Sequence, residues 1–189
     1  MTRQRIGGAV VTAVGIALTV RGDASGVFPL GLLFAVVGLL TLADSVADRR
    51  VTSLRTALGV VAAWLLLAVV LRVRALSAAR PELGMLDAQV WEVVLLDPWF
   101  LAAFVGALVL PFALGGRLVR AAVGLVALGL FSLTLVRYGG GGGFGVRFNL
   151  LLYLGTYAAG AVAGLVAYAP LLMADSGGAL RAGRRPSRK

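Results

Sequence analysis

The sequence predicts an all-α integral membrane helix bundle, with six transmembrane helices plus one outer interfacial amphipathic helix. Three observations predict it. Six apolar stretches free of Asp, Glu, Lys and Arg run along the chain, at about residues 6–20, 27–43, 57–71, 98–115, 121–136 and 148–173. A bilayer core about 30 Å thick takes roughly 17–25 helical residues, and several stretches reach or approach that length. The mean hydropathy is +0.96, and 60% of the 189 residues are hydrophobic, against about 45–50% apolar for soluble domains. Arginines, finally, sit at the ends of the apolar runs rather than on one groove or face. Residues 1–175 therefore form one six-span membrane domain. Residues 176–189, rich in Gly, Ser, Pro and Arg, read as a disordered basic cytoplasmic tail.

The first, third and fifth spans are each bracketed by arginines: Arg5 and Arg21, Arg55 and Arg72, Arg120 and Arg137. These intervals are short for a bilayer core, so the bracketing arginines are expected to snorkel to the headgroups. Each bracketed span is followed by a connection and a return span, which reads as three hairpins. The first connection, Arg21–Gly26, is a Gly/Asp/Ser turn before Pro29. The second, Arg72–Asp97, is long. Pro81-Glu82 reads as a helix start, because proline and an acid suit the first turn. Leu83, Leu86, Val90, Val93 and Val94 would then share one face, with Glu82, Gln89 and Glu92 opposite. The segment 81–96 is thus predicted to lie along the outer interface, with Trp91 and Trp99 in an aromatic belt. Its acids could pair with Arg72, Arg74 or Arg80. Asp97-Pro98 supplies an N-cap and a first-turn proline for the fourth span.

Pro111 lies inside that fourth span, and a kink is expected near residues 107–111. It is read either as a packed kink or as a hinge. Gly139–Gly143 reads as a flexible outer loop. It has neither the flanks of a channel filter nor those of a phosphate loop. Asn149 stands as a cap at the start of the sixth span.

The charges imply an orientation. With the N-terminus inside, Arg3, Arg5, Arg49, Arg50, Arg55, Arg117, Arg120, Arg181, Arg184, Arg185, Arg188 and Lys189 are cytoplasmic. Only Arg21, Arg72, Arg74, Arg80, Arg137 and Arg147 fall outside, where most of the acids also lie. The positive-inside rule then places both termini in the cytoplasm of a prokaryotic cell, with the spans in its cytoplasmic membrane.

The chain has no cysteine and no histidine. Disulfides, thiol chemistry, histidine-ligated haem or zinc, and Ser-His-Asp catalysis are excluded. No span carries the buried charge expected of an ion-coupled pump. No nucleophile–base pair can be named, so the chain is read as not an enzyme and without a cofactor. The scattered cations argue against nucleic acid. The expected partners are the lipid bilayer, a membrane protein or a second copy, and anionic lipid at the basic tail.

Two groups of residues are singled out. Thr156, Gly160 and Gly164 are small residues at four-residue spacing, a surface for close helix packing within the chain or with an oligomer partner. Ser132, Thr134, Thr156 and Tyr157 are polar positions within the spans, candidates for lining a pathway. The leading expectation is a non-catalytic structural or accessory subunit of a membrane complex. The alternative is a small uncoupled permease for a neutral or weakly charged solute, with Pro111 as its moving element. The string Gly26-Val27-Phe28-Pro29, following an apolar span, resembles the small subunits of tripartite tricarboxylate transporters. The likeness covers one hairpin, and no residue role is taken from it.

Overall fold

The computed structural model describes residues 2–22, 27–47, 53–82, 84, 87–138 and 144–182. Seven helices make up the described chain: α1 (Thr2–Arg21), α2 (Phe28–Ala47), α3 (Leu54–Ala79), α4 (Ala88–Leu96), α5 (Pro98–Leu114), α6 (Arg117–Tyr138) and α7 (Phe144–Ala182). Each of the six apolar stretches falls within one of them, to within a residue at its ends. By length and composition α2, α3, α6 and α7 each suffice to cross a membrane, and α4 with α5 makes a fifth as a pair bent by 59°. Six separate spans do not emerge on that measure. α5 has 17 residues, and α1 begins with the polar run Thr2-Arg3-Gln4-Arg5.

α1 and α2 form a close antiparallel hairpin. On α1 the seam carries Gly8, Thr12, Gly15 and Thr19; on α2 it carries Gly31, Gly38 and Ser45. This repeat near 3.5 residues holds one face of each helix toward the other. The backbones touch: a Cβ on Gly15 would stand 2.6 Å from Ala35 Cα, and one on Gly38 would stand 2.8 Å from Thr12 Cα. The seam hydroxyls turn back on their own helices. Thr12 donates to Gly8 O, Thr19 to Gly15 O, and Thr41 to Val37 O, at 2.7–2.8 Å. Such back-bonding satisfies a hydroxyl where water is absent. At the end of the hairpin, Gln4 Nε2 donates to Asp44 Oδ2 (2.8 Å).

α3 begins at Ser53, whose hydroxyl accepts from Thr56 N (3.2 Å) and caps the helix. Its buried stripe is Ala57, Val61, Trp64, Ala68, Arg72 and Val73. α5 packs against it in the opposite direction, with the Trp64 and Phe100 rings stacked at 6.2 Å. The core gathers Leu33 and Val37 of α2, Val61 and Trp64 of α3, Val90 and Val94 of α4, Phe100, Ala103 and Leu110 of α5, and Ala167 and Tyr168 of α7. α6 lies at the edge. Only 6% of its apolar window is buried, against 39% for α2 and α3. Its N-terminal Arg120 donates to Phe112 O (3.3 Å) and lies over the Phe112 ring.

Several expectations are corrected. α3 does not end at Arg72 but runs on to Ala79, about 39 Å at 1.5 Å per residue. Arg72 therefore does not snorkel. It faces inward, because it continues the stripe of Trp64 and Ala68 at four-residue spacing. The helix predicted over 81–96 is shorter, starting at Ala88 behind an Asp87 cap that accepts from Gln89 N (2.8 Å). Pro81 and Glu82 sit in a turn. Val90 and Val94 are buried, whereas Val93 is exposed. Leu83 and Leu86 lie outside the described residues. α7 starts at Phe144, so Asn149 stands inside the helix rather than at its cap. α7 also runs on to Ala182, taking in the first part of the segment read as an irregular tail. The Gly139–Gly143 loop and residues 183–189 lie outside the described residues.

Candidate functional site

Two places in the bundle carry features beyond simple apolar packing: the α5–α7 seam and the α3–α4–α5 junction. The seam is built from small residues. Gly160 of α7 lies against the backbone of Ala102, and Gly164 against that of Gly106. The two helices run parallel, and Tyr168, one turn farther along α7, donates to Ala107 O (3.3 Å). Gly160 and Gly164 are thus turned toward α5 of their own chain. Thr156, one turn earlier, is half-buried and donates to Leu152 O (2.9 Å) on its own helix. Gly106 was not singled out by sequence spacing, yet three helices meet there. A Cβ on it would reach Leu33 Cδ2 of α2 at 2.9 Å and Gly160 O at 3.0 Å.

The candidate polar pathway does not gather into one lining. Ser132 is exposed on α6. Thr134 is fully buried, and its hydroxyl donates to Leu130 O (2.7 Å). Tyr157 of α7 sits edge-on to Phe131 of α6, with ring centroids 5.5 Å apart. Phe131, Thr134 and Tyr157 belong to the narrow α6–α7 contact. Pro111 is buried, and α5 continues past it to Leu114, with Gly115 N donating to Pro111 O (2.8 Å). Pro170 is a second intrahelical proline, in α7, and its ring lies 3.0 Å from where a Gly7 Cβ would be.

The junction holds an ion pair that sequence reading missed. Arg72 Nη2 donates to Asp97 Oδ2 at 2.9 Å, with the two side chains 4% and 11% exposed. Asp97 does double service. Its Oδ1 accepts from Trp99 N (2.8 Å) and Phe100 N (3.1 Å) at the first turn of α5. The N-cap role was legible in the Asp97-Pro98 dipeptide. The pairing was not, since it spans 25 residues. One signal could have found it: Ala57, Val61, Trp64 and Ala68 mark an apolar stripe on which Arg72 is the next position. Buried Arg72 keeps two donor atoms, Nε and Nη1, without a hydrogen-bond partner. The Trp64 indole N–H is likewise buried and unpartnered.

Among the described residues, no three or more of Asp, Glu, His and Cys come together as a metal would require. Compared with protein-family models, with curated proteins and with solved structures, the chain gives no match.

Proposed function

We propose that this multi-pass membrane protein is a non-catalytic structural or accessory subunit of a membrane complex. One observation carries the reading: the interior is filled by packed apolar side chains, and three of its buried threonine hydroxyls are spent on their own helices. Thr12, Thr41 and Thr134 are buried, and each bonds a carbonyl one turn back. Hydroxyls so engaged offer no row of water-facing groups to a passing solute. The buried charge at the junction is already paired. The nearly bare α6, with Leu118, Leu125, Leu128 and Val136 exposed, leaves room for lipid or a neighbouring subunit. Purification in mild detergent tests the proposal. Co-purification with a defined partner, or a defined homo-oligomer, supports it; a lone monomer that mediates solute flux in liposomes overturns it in favour of the permease.

We further propose that the α4 end of the bundle faces outward, in the cytoplasmic membrane of a prokaryote. The supporting feature is the gathering of Arg3, Arg5, Arg55, Arg117 and Arg120 at the N-terminal ends of α1, α3 and α6, which lie at the opposite end. The chain has no cysteine, so single introduced thiols report cleanly. Cysteine at exposed Ala79 should label with an impermeant reagent in intact cells, and cysteine at exposed Ser53 should not. The reverse pattern inverts the orientation.

A further inference from the structure

α4 is apolar on more than one side. Val90 and Val94 are buried against the bundle, while Trp91 (37%), Val93 (50%) and Leu95 (41%) are exposed on its flanks. Trp99, just inside α5, is 46% exposed. Gln89 is exposed on α4 as well, so the apolar surface is confined to flanks on either side of a polar position. We propose that α4 is seated in lipid: acyl chains of the adjoining leaflet cover the Trp91–Leu95 and Val93 flanks, and α4 with α5 counts as one bent span.

Three further features fit lipid rather than water or a soluble partner. First, the exposed surface is continuous in kind with that of α3, where Leu66, Leu67 and Val70 are exposed within a helix long and apolar enough to cross a membrane. Second, the polar groups of Asp97, at the break between α4 and α5, are satisfied internally. Asp97 takes Trp99 N, Phe100 N and Arg72, and its carbonyl accepts from Leu101 N (2.9 Å). A cap of this kind also forms at helix starts in water, but within the apolar layer it is obligatory, because an unmet backbone group there costs several kcal/mol. Third, tryptophan is the residue type that favours the boundary between acyl chains and headgroups, and two stand beside the break. On this placement the Arg72–Asp97 pair lies below the lipid boundary, sealed by α4. The proposal holds whether the bundle acts as a subunit or as a permease.

The test uses the full chain in phosphatidylcholine liposomes carrying bromine at defined acyl depths. The protein has three tryptophans, and Trp64 is fully buried, so it supplies a constant background. Trp91→Phe and Trp99→Phe should each remove a share of the emission that bromolipid quenches and that aqueous acrylamide does not. A nitroxide on Val93→Cys provides a second measure independent of tryptophan. It should be more accessible to oxygen than to a water-soluble nickel chelate. If Trp91 emission responds to acrylamide alone and the nitroxide favours the nickel chelate, α4 stands in water and the proposal fails. Quenching of Trp99 without Trp91 overturns it too, since α5 would then enter lipid without α4.

Discussion

Replacing Asp97 with alanine removes two interactions at once. It strips the counter-ion from Arg72, whose side chain is 4% exposed. It also removes the acceptor for Trp99 N and Phe100 N. Arginine carries its charge wherever it is placed, so the guanidinium is left uncompensated in the core. Removing one partner of a buried pair costs about 3–5 kcal/mol, and losing the cap about 1 kcal/mol more. Against a total stability of about 5–15 kcal/mol, that is a large share. Arg72→Met acts differently. It leaves both backbone caps in place and deletes a buried cation that already lacks partners at Nε and Nη1. It leaves the Asp97 carboxylate without its cation, but two backbone N–H groups still hold that charge, so its expected cost is about 1.5–3 kcal/mol, that of a hydrogen bond to a charged group. Asp97→Asn should fall between, since asparagine also caps. Adding Arg72→Met to Asp97→Ala should recover about 2 kcal/mol or more, a positive coupling between neighbours. The assay is unfolding in mixed micelles of increasing dodecyl sulfate fraction, followed through the emission of buried Trp64. The reasoning is refuted if Arg72→Met destabilises as much as Asp97→Ala, or if the two effects simply add.

Other expectations follow from the helix seams. Gly15→Ala puts a methyl against the Ala35 backbone and should lose about 1–3 kcal/mol by overpacking, read in the same micelle titration. Gly124→Ala and Gly129→Ala meet open space and should be neutral or gain up to about 1 kcal/mol from helix propensity. Gly160→Leu with Gly164→Leu should separate α7 from α5 and destabilise the single chain, which size-exclusion and thermal aggregation assays will show even for a monomer; loss of oligomer with an unchanged monomer melt would place the contact between chains instead. Thr134→Val keeps the shape and loses one back-bond to Leu130, so stability should shift by less than about 1 kcal/mol. A large loss of solute flux in that variant would favour the permease.

Much of the helix layout was legible because its causes are local. Each apolar stretch became part of a helix, and Asp97-Pro98 marked the start of α5 as capping chemistry requires. The ends were less legible. α3 passes Arg72 by almost two turns, since a long helix can leave Arg74 exposed while neighbours cover Arg72. The Gly160 and Gly164 spacing signalled a close-packing face, but spacing alone did not say which helix approaches it. Ala102 and Gly106, which do, stand at the same four-residue spacing within α5, but neither pattern names its partner. The α1–α2 seam was readable in principle from Gly8, Thr12, Gly15 and Thr19, yet only against Gly31, Gly38 and Ser45 does the pattern acquire a partner.

The sequence by itself determined that this is a helical membrane protein without cysteine or histidine chemistry, where its apolar segments lie, and how several of them begin. Those properties depend on solvent preference and on bonds reaching three or four residues along the chain. Only the tertiary structure decided that Arg72 is buried on Asp97, that α4 and α5 are bent by 59° from each other, and that glycines on α1 and α7 meet the backbones of α2 and α5. These depend on segments distant in sequence approaching within van der Waals range. Which of several similar small-residue faces comes into contact is a matter of whole-bundle packing, and no local signal carries it.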